Sequence, residues 1–513
     1  MADINVDVVI IGAGFAGCLS LHHMRRRRFS AKIIEAGSDF GGVWYWNRYP
    51  GAQVDSEMPN YQFSSPEIFN DFSFHEFYPD ATALRNYFGH VDKRWDLRKD
   101  AIFNQRVTEA RYDGEDKKWK ITTEKGLAAS SRFIIFAVVW PEDVNFTGKK
   151  TGIIGQGASG TQIFEHLACR GHDVTVFLRT PPIAFPMRNR AITGEENKEA
   201  KKTYESHFSR SKYGEVGFPF LPYAKPLSSE SADQNRAHME KLWEHGGLMN
   251  VTGNYIDILV DKTANETFYN FWSEKVRARM TDEAKKETLA PPKPVQPLGT
   301  KRSTIENKYY ELMDGENVTL VNLQKTPIKE FASNGIVTSS SGTDGDETLH
   351  HLDVVVVATG YDSVTGSLYD INIVDKQGKT LQEKWKDGIR TYFGMMVPDM
   401  PNAFILYGPQ APTSLANGPT FLEMEVEWID KLLDKMEGDH ITSIEPTKDE
   451  AEAWNQKLQS RFTLLPHSKA PSWWVGANTP GKRREPLVWF GGTKAWSVEC
   501  TEALSDWSHF ITD

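Results

Sequence analysis

Val8-Val9-Ile10-Ile11-Gly12-Ala13-Gly14-Phe15-Ala16-Gly17 runs from a short β-branched stretch straight into three glycines spaced G-x-G-x-x-G. Four apolar residues bounded by glycine read as a buried parallel strand. Gly12 permits the tight turn, Gly14 lets backbone approach a pyrophosphate, and Gly17 lets the following helix, read as Cys18 to Arg28, pack on its strand. A second strand, Ala31-Lys32-Ile33-Ile34, ends at Glu35. A carboxylate about twenty residues past the turn accepts hydrogen bonds from an adenosine ribose and repels a 2′-phosphate. Strand, turn, helix, strand and acid together spell a dinucleotide-binding βαβ unit.

Directly downstream lies Gly41-Gly42-Val43-Trp44-Tyr45-Trp46-Asn47-Arg48-Tyr49-Pro50-Gly51, with Asp55 and Tyr61 beyond it. Glycines, dense aromatics and a Pro-Gly turn fit a loop lying along a flat heterocycle; the plainer reading is an aromatic cluster that needs no ligand. On the first reading Gly42, Val43, Trp44, Trp46, Asp55 and Tyr61 join Gly12, Gly14, Gly17 and Glu35 as residues of the first cofactor, with Val107 added to the set.

A second unit starts at Lys150-Thr151-Gly152-Ile153-Ile154 and enters Gly155-Gln156-Gly157-Ala158-Ser159-Gly160, then an apolar-periodic helix through Leu167. Its next strand, Asp173-Val174-Thr175-Val176-Phe177-Leu178, ends not in an acid but in Arg179-Thr180. Arg and a hydroxyl there favour a ribose 2′-phosphate through a charge-assisted contact, so the second nucleotide is expected to be NADPH. Gly155, Gly157, Ala158, Ser159, Gly160, Arg179 and Thr180 form its candidate set. Two fingerprints of opposite ribose chemistry argue for a flavin and a nicotinamide nucleotide brought together, hence hydride transfer. Asp353-Val354-Val355-Val356-Val357-Ala358-Thr359-Gly360-Tyr361-Asp362 adds a buried strand with a small-residue turn that lets backbone pass close to a cofactor or the other domain.

The 513 residues are too many for one ordinary domain, and 39% hydrophobic, 25% charged and 12% aromatic residues place the chain among globular proteins. A net charge of −10 has the wrong sign for general attraction to nucleic acid or anionic lipid. Cys18, Cys169 and Cys500 are scattered, with no C-x-x-C metal or redox spacing, which points to a reduced, cytoplasmic compartment. No apolar stretch is long enough for a membrane span and no signal peptide is apparent. The basic run Arg25 to Arg28 reads as the solvated end of the first helix, where cations suit the dipole.

The expected fold is α/β, two Rossmann-like dinucleotide-binding domains with a helical insert. Residues 1–143 form the first segment of an FAD-binding domain, 144–190 the first segment of an NADP-binding domain, 191–297 the insert, 298–359 the second NADP segment and 360–513 the second FAD segment. Glu195 to Phe208, Ala232 to His245 and Phe268 to Met280 carry helix-like periods, and the insert is expected to line part of a substrate cavity. Ala290-Pro291-Pro292-Lys293-Pro294 reads as a linker.

With these residues in hand the chain resembles the Baeyer–Villiger monooxygenase family of class B flavoproteins over nearly its whole length. The blocks that carry the resemblance are Gly41 to Gly51 with Asp55 and Tyr61, Gly155 to Gly160, Val176 to Pro181, Gly299-Thr300-Lys301-Arg302 before Tyr309-Tyr310, Ala358 to Asp362, Gly408-Pro409-Gln410, and Ser472 to Lys482. The resemblance implies that FAD, reduced by NADPH, reacts with O₂ to a C4a-peroxyflavin that adds to a ketone, giving an ester or lactone. It further implies Arg302 as catalytic cation, Asp55 as the carboxylate orienting it, Lys301 and Arg179 at the NADPH 2′-phosphate, and Trp473 reaching NADP⁺. Lys301-Arg302 as a mere solvated basic pair is the plain alternative. A ketone and O₂ are the expected partners, without nucleic acid, membrane or metal, in a monomer or weak homo-oligomer.

One block departs from the family pattern. Phe133-Ile134-Ile135-Phe136-Ala137 passes directly into Val138 to Lys149, where only Trp140-Pro141 matches the tail of the family's F-x-G-x-x-x-H-x-x-x-W fingerprint. A linker shortened there leaves open an active monooxygenase, an uncoupled NADPH oxidase and a non-catalytic flavin-binding paralogue; a heteroatom-oxidising class B enzyme is a further alternative.

Overall fold

The computed structural model describes residues 4–137, 149–340 and 345–513. The Trp140-Pro141 match and most of the shortened linker lie outside the described residues.

In chain order the strands are β1 (Ile4–Ile11), β2 (Ala31–Ile34), β3 (Ala101–Ile102), β4 (Val107–Asp113), β5 (Lys118–Thr123) and β6 (Ala128–Phe136). Then come β7 (Thr151–Ile154), β8 (Val174–Leu178), β9 (Ala184–Pro186), β10 (Thr304–Glu306), β11 (Val318–Asn322), β12 (Ile328–Ala332), β13 (Gly335–Ser339), β14 (Glu347–His351), β15 (Val354–Val357), β16 (Asn372–Val374) and β17 (Ala403–Ile405). The first sheet has the order β16-β4-β5-β6-β1-β2-β3, with β17 on β6 as its eighth strand. β1 lies parallel between β2 and β6, Ile10 opposite Ile33 on one side and Ile135 on the other. Flanked on both edges, the C-terminal half of this strand, Val8 to Ile11, buries both faces, so its apolar residues do not alternate with polar ones. The second sheet, β11-β8-β7-β15, is parallel throughout.

Both glycine turns follow from close packing. A Cβ on Gly12, whose φ is +101°, would run into the carbonyl oxygen of Ala137, and one on Gly17 into that of Gly12. The second unit repeats the arrangement, Gly155 against Ala358 and Gly160 against Gly155. The small residue after β15 thus lies beside the second turn, as the sequence suggests.

Between β9 and β10 the chain is largely helical, with helices Gly194–Lys201, Tyr204–Lys212, Ala232–His245, Lys262–Arg277 and Glu283–Leu289. The period read from Glu195 to Phe208 is two helices. The first is closed by a Thr193/Glu196 capping box, and Thr203, in a tight turn, starts the second. The first helix of the chain is Phe15–Arg26, not Cys18 to Arg28, since Arg28 takes a left-handed φ of +64°.

The basic run is solvated only in part: Arg26 and Arg28 are exposed as expected, Arg25 and Arg27 are not. Arg25 pairs with Asp100, and Arg27, only 9% exposed, pairs with Asp434 at 2.7 Å. These contacts tie the first helix to β3 and to the long helix Gly418–Gly438. The Pro-rich stretch is not a free linker either. Its Ala290 carbonyl accepts from Arg277 at 3.0 Å and its Pro291 carbonyl from Tyr269 at 2.7 Å, pinning it to the helix Lys262–Arg277. Among the described residues no helix is long and apolar enough to cross a membrane.

Candidate functional site

The helices that follow the two glycine turns differ from others in the chain. Those starting at Ala81, Ala232 and Lys262 are capped by the side chains of Asp80, Ser231 and Asp261. Phe15–Arg26 and Ala158–Ala168 begin at Gly14 and Gly157, with no side-chain cap. Their first-turn N–H groups therefore stay available at the positive end of the helix dipole, as a phosphate site requires. A Cβ on Gly157 would meet nothing within 4 Å, so this turn opens onto space. Gly14 and Gly42 face each other closely, a Cβ on Gly42 lying 2.7 Å from Gly14 Cα.

Glu35 sits where the fingerprint requires, fully buried, accepting from Ala13 N at 2.7 Å and Gly37 N at 2.6 Å. Burial raises its pKa while those amides pull it back. Its carboxylate closes the turn by bridging Ala13 and Gly37. Val107, expected as a cofactor residue, is buried in the same apolar cluster as Val9, Ile11 and Ile34, and β4 pairs it with Thr123. Trp44 donates to the Tyr61 hydroxyl at 3.2 Å, Trp46 is buried with an unpartnered indole N–H, and Val43 is 41% exposed. Gln156, between Gly155 and Gly157, also has a buried oxygen without a partner. Such orphaned polar atoms beside both glycine turns are groups a bound nucleotide would satisfy.

The two units meet around one helix. Gln162, on Ala158–Ala168, donates to the Gln53 carbonyl at 2.9 Å and accepts from the Tyr49 hydroxyl at 2.9 Å. Gly51, with φ +81°, lets the aromatic loop press on the same turn, where a Cβ would lie 2.7 Å from the Gln162 carbonyl oxygen. Burial pushes the Tyr49 phenol up to about 12, although Ser159 donates a hydrogen bond that opposes it.

Arg302 and Asp55, 247 residues apart, come together here, Nε and one terminal guanidinium nitrogen reaching the same carboxylate oxygen at 2.9 and 2.7 Å. Each side chain keeps about a third of its surface accessible, 32% and 28%. Burial acts to lower the guanidinium pKa, but Asp55, with help from Tyr407 and Tyr61, outweighs it and the net shift is upward. The pair is not a solvated basic patch. It lines a cavity of about 240 Å³ together with Trp44, Tyr49, Tyr61, Ala158 and Tyr407. A larger hollow of about 360 Å³, around Tyr392 and Trp454, touches none of the candidate residues. Chemistry places the site in the smaller cavity, where a permanently charged fork is held in a partly closed space.

No residue of the insert lines this cavity, contrary to expectation. The insert backs its wall instead, through the Val216 carbonyl that accepts from Asn417 N at 3.1 Å. Trp428, Trp474, Trp489 and Trp496 are buried core residues. The sequence reading missed Gln162 and Tyr407; nothing in their local sequence signals a site, because only the meeting of distant segments makes one.

On the nucleotide side, burial and the like charge of Arg179 lower the Lys301 ammonium pKa. Neither cation forms an ion pair among the described residues, so the structure holds two positive groups ready for an anion. Thr180, next to Arg179 in the chain, is half-buried. Trp473 is half-buried against Trp474, on the segment whose His467 donates to the Gly299 carbonyl at 2.9 Å. Lys482, in the same block, bonds Asp362 and Thr365 and so fixes the turn after β15.

Glu165, on the Ala158–Ala168 helix, accepts the amides of Asn307 and Lys308 at 2.7 and 2.8 Å, tethering the segment that follows Arg302. Burial, reinforced by Glu306, raises it to about 7, with the two amides opposing. A carboxyl raised on folding stabilises fully below its unfolded pKa, and that contribution is lost as pH climbs from the ordinary carboxylate range through 7. Glu165→Gln stays neutral and keeps an acceptor oxygen. It is expected to gain about 2–3 kcal/mol over the parent between pH 5 and 8, measured by urea unfolding at both values.

Comparison with known proteins agrees with this geometry. Residues 10–73 match the NAD(P)-binding Rossmann-like domain. Cyclopentanone 1,2-monooxygenase of Comamonas sp. (strain NCIMB 9872) is 35% identical over 94% of this chain and 91% of its own. That alignment is 509 positions long, so the relative has a couple of dozen residues without a counterpart here. An oxidized steroid monooxygenase bound to NADP superposes with a TM-score of 0.91 at 34% identity, covering 99% of each chain. OTEMO in complex with FAD and NADP gives 0.92 at 29% identity, again with 99% of each chain covered. Two opposed nucleotide turns, a caged guanidinium where they meet and likeness from end to end lead to one conclusion: the chain belongs to the Baeyer–Villiger monooxygenase family of flavin-dependent monooxygenases.

Proposed function

We propose that this chain binds FAD and NADPH and inserts one oxygen atom of O₂ beside a ketone carbonyl to give an ester or lactone. The observation that carries the proposal is the Arg302–Asp55 pair, a fixed cation in a cavity bounded by both nucleotide units. When bound, FAD supplies oxygen activation and NADPH the hydride. Gly12, Gly14, Gly17, Glu35 and the Gly42-to-Trp46 loop hold the first nucleotide; Gly155, Gly157, Ala158, Ser159 and Gly160 hold the second. Asp55 limits the motion of Arg302, whose planar fork offers N–H donors to developing negative charge on oxygen. Trp44, Tyr49 and Tyr61 restrict water around it. Sheet membership supports the division of the chain, residues 1–143 and 360–513 around the first sheet and 144–190 and 298–359 around the second. A linker shortened between Ala137 and Lys149 remains part of this reading, as do a cytoplasmic location and a monomer or weak homo-oligomer.

The test is to purify the protein, record a bound-flavin spectrum, and follow NADPH consumption, hydrogen peroxide and ester with cyclic and acyclic ketones. Ester or lactone in near-stoichiometric yield on NADPH is the expected result. Peroxide in its place marks an uncoupled oxidase, and flavin binding without NADPH turnover a non-catalytic protein.

Cofactor choice has its own check. Arg179→Ala removes a charge-assisted contact to the 2′-phosphate alone, worth about 1.5–3 kcal/mol. NADPH is expected to bind roughly tenfold to hundredfold more weakly while NADH changes little. Equal losses for both would place Arg179 away from the phosphate.

A further inference from the structure

Tyr407 follows β17 and takes a left-handed φ of +58°, a conformation that costs a non-glycine residue energy unless its surroundings hold it there. What holds it is visible. Its backbone N–H donates at 2.9 Å to Glu425 Oε2, on the helix Gly418–Gly438, and its ring packs on Phe421 at 6.1 Å between centroids. Glu425 is fully buried, and its other carboxyl oxygen has no hydrogen-bond partner. Burial pushes this carboxyl well above the usual range, against the pull of the Tyr407 amide, and so favours its neutral form. Cys500 and Tyr407 both feel its charge, and burial raises each of them too.

The strained backbone sends the Tyr407 side chain into the cavity that holds Arg302. Its hydroxyl lies above Gly418, where a Cβ would come within 3.9 Å of it. Burial raises the phenol, and the pull of Arg302 in the opposite direction does not overcome this, so the hydroxyl keeps its proton. The cavity therefore contains two kinds of permanent donor from distant parts of the chain, the phenol O–H and the guanidinium N–H groups.

We propose that Tyr407 and Arg302 form a donor pair for the carbonyl oxygen of the ketone, and that Glu425 is the positioning residue that keeps Tyr407 in place. This rests on the monooxygenase reading for its substrate class and adds a second recognition group to it. A carbonyl oxygen has two lone pairs and gains negative charge when its carbon is attacked, so a second donor aimed at it lowers the barrier to product without changing the preceding hydride transfer.

The experiment uses flavin-loaded protein and carbonyl-labelled cyclopentanone, with two readouts. In the oxidised protein without NADPH, the infrared C=O stretch of the bound ketone reports the donors on its oxygen. With NADPH, ester and peroxide are measured per NADPH consumed, beside the single-turnover rate of flavin reduction. Tyr407→Phe is expected to move the stretch back toward its free value and to lower kcat for ester roughly tenfold, with peroxide rising and flavin reduction unchanged. Glu425→Gln, which retains an acceptor for the Tyr407 amide, should behave as the parent. Glu425→Leu, and the shorter Glu425→Asp should the former not fold, should reproduce the Tyr407→Phe shift. An unchanged stretch and product ratio in Tyr407→Phe overturns the donor pair, and a parental stretch in both Glu425→Leu and Glu425→Asp overturns the positioning role. If the parent forms no ester yet Tyr407→Phe shifts the stretch, the monooxygenase reading fails while the donor pair stands.

Discussion

Arg302→Ala is expected to lower ester or lactone formation by roughly a hundredfold to a thousandfold while the protein keeps its flavin. Removing one preorganised donor at developing oxyanion charge costs about 3–4 kcal/mol. This guanidinium is well placed for the role, because Asp55 holds its Nε and one terminal nitrogen through a single carboxylate oxygen and the cavity limits competition from water. Flavin retention follows from geography: the Gly12–Gly17 turn belongs to the first sheet, whereas Arg302 approaches from the stretch before β10. Arg302→Lys should rescue little, since an ammonium cannot hold Asp55 and a second anion with the same planar fork. Product by gas chromatography and flavin by absorbance separate the outcomes. A variant that loses its flavin assigns Arg302 a folding role, and one that oxygenates ketone at the parental rate removes it from the chemistry.

Gly12→Ala and Gly157→Ala are expected to differ sharply although each adds one methyl group to a glycine turn. Gly12 has φ +101°, and its new Cβ would collide with a backbone carbonyl on β6's exit, which has no rotamer by which to move aside. Backbone strain and overpacking together remove several kcal/mol from a domain whose total stability is about 5–15 kcal/mol. Little soluble, flavin-loaded protein should result. Gly157 has φ −77° and open space around the added carbon. That variant should fold with a melting temperature close to the parent's, yet bind NADP⁺ at least tenfold more weakly because the methyl group occupies the approach to the bare helix N-terminus. Circular dichroism and nucleotide titration read the two effects separately, and normal NADP⁺ affinity in Gly157→Ala would place the phosphates elsewhere.

What the sequence disclosed was local backbone chemistry. A glycine needed for φ > 0 or for helix-strand contact must appear at a fixed offset, so Gly12, Gly17, Gly155 and Gly160 could be assigned one by one, and the parallel strands around them followed. Arg302 and Asp55 were paired only through likeness to a family; spacing alone says nothing about residues 247 apart. Tyr407, Gln162 and Glu425 were not legible because each acts through one contact with a distant segment, and neither a phenol after a short strand nor an acid inside an amphipathic helix is unusual. The same cause explains the misreading of Arg25 and Arg27. Position at a helix end predicts solvent exposure, but the Gly418–Gly438 helix, arriving some four hundred residues later, covers Arg27 and offers it Asp434. β12 and β14 were missed because they have little buried surface and therefore little apolar alternation to read, and the short buried β13 between them carries no turn motif to mark it.

The first sheet encloses the second in the order of the chain. β6 ends at Phe136, yet its edge next to Ile134–Phe136 is covered only by β17, at Ala403–Ile405. During synthesis the ribosome must make both halves of the inner nucleotide unit before this strand appears, a delay of about tens of seconds at roughly 5–20 residues per second. For that interval the nascent chain carries an open, apolar strand edge, the kind of template on which other chains pair. The inner unit, whose last sheet strand is β15, can be complete while the outer one is still waiting. Fragments that stop near residue 360 should then expose this edge permanently, which makes chaperone supply during synthesis and an intact C-terminus favour recovery of folded protein.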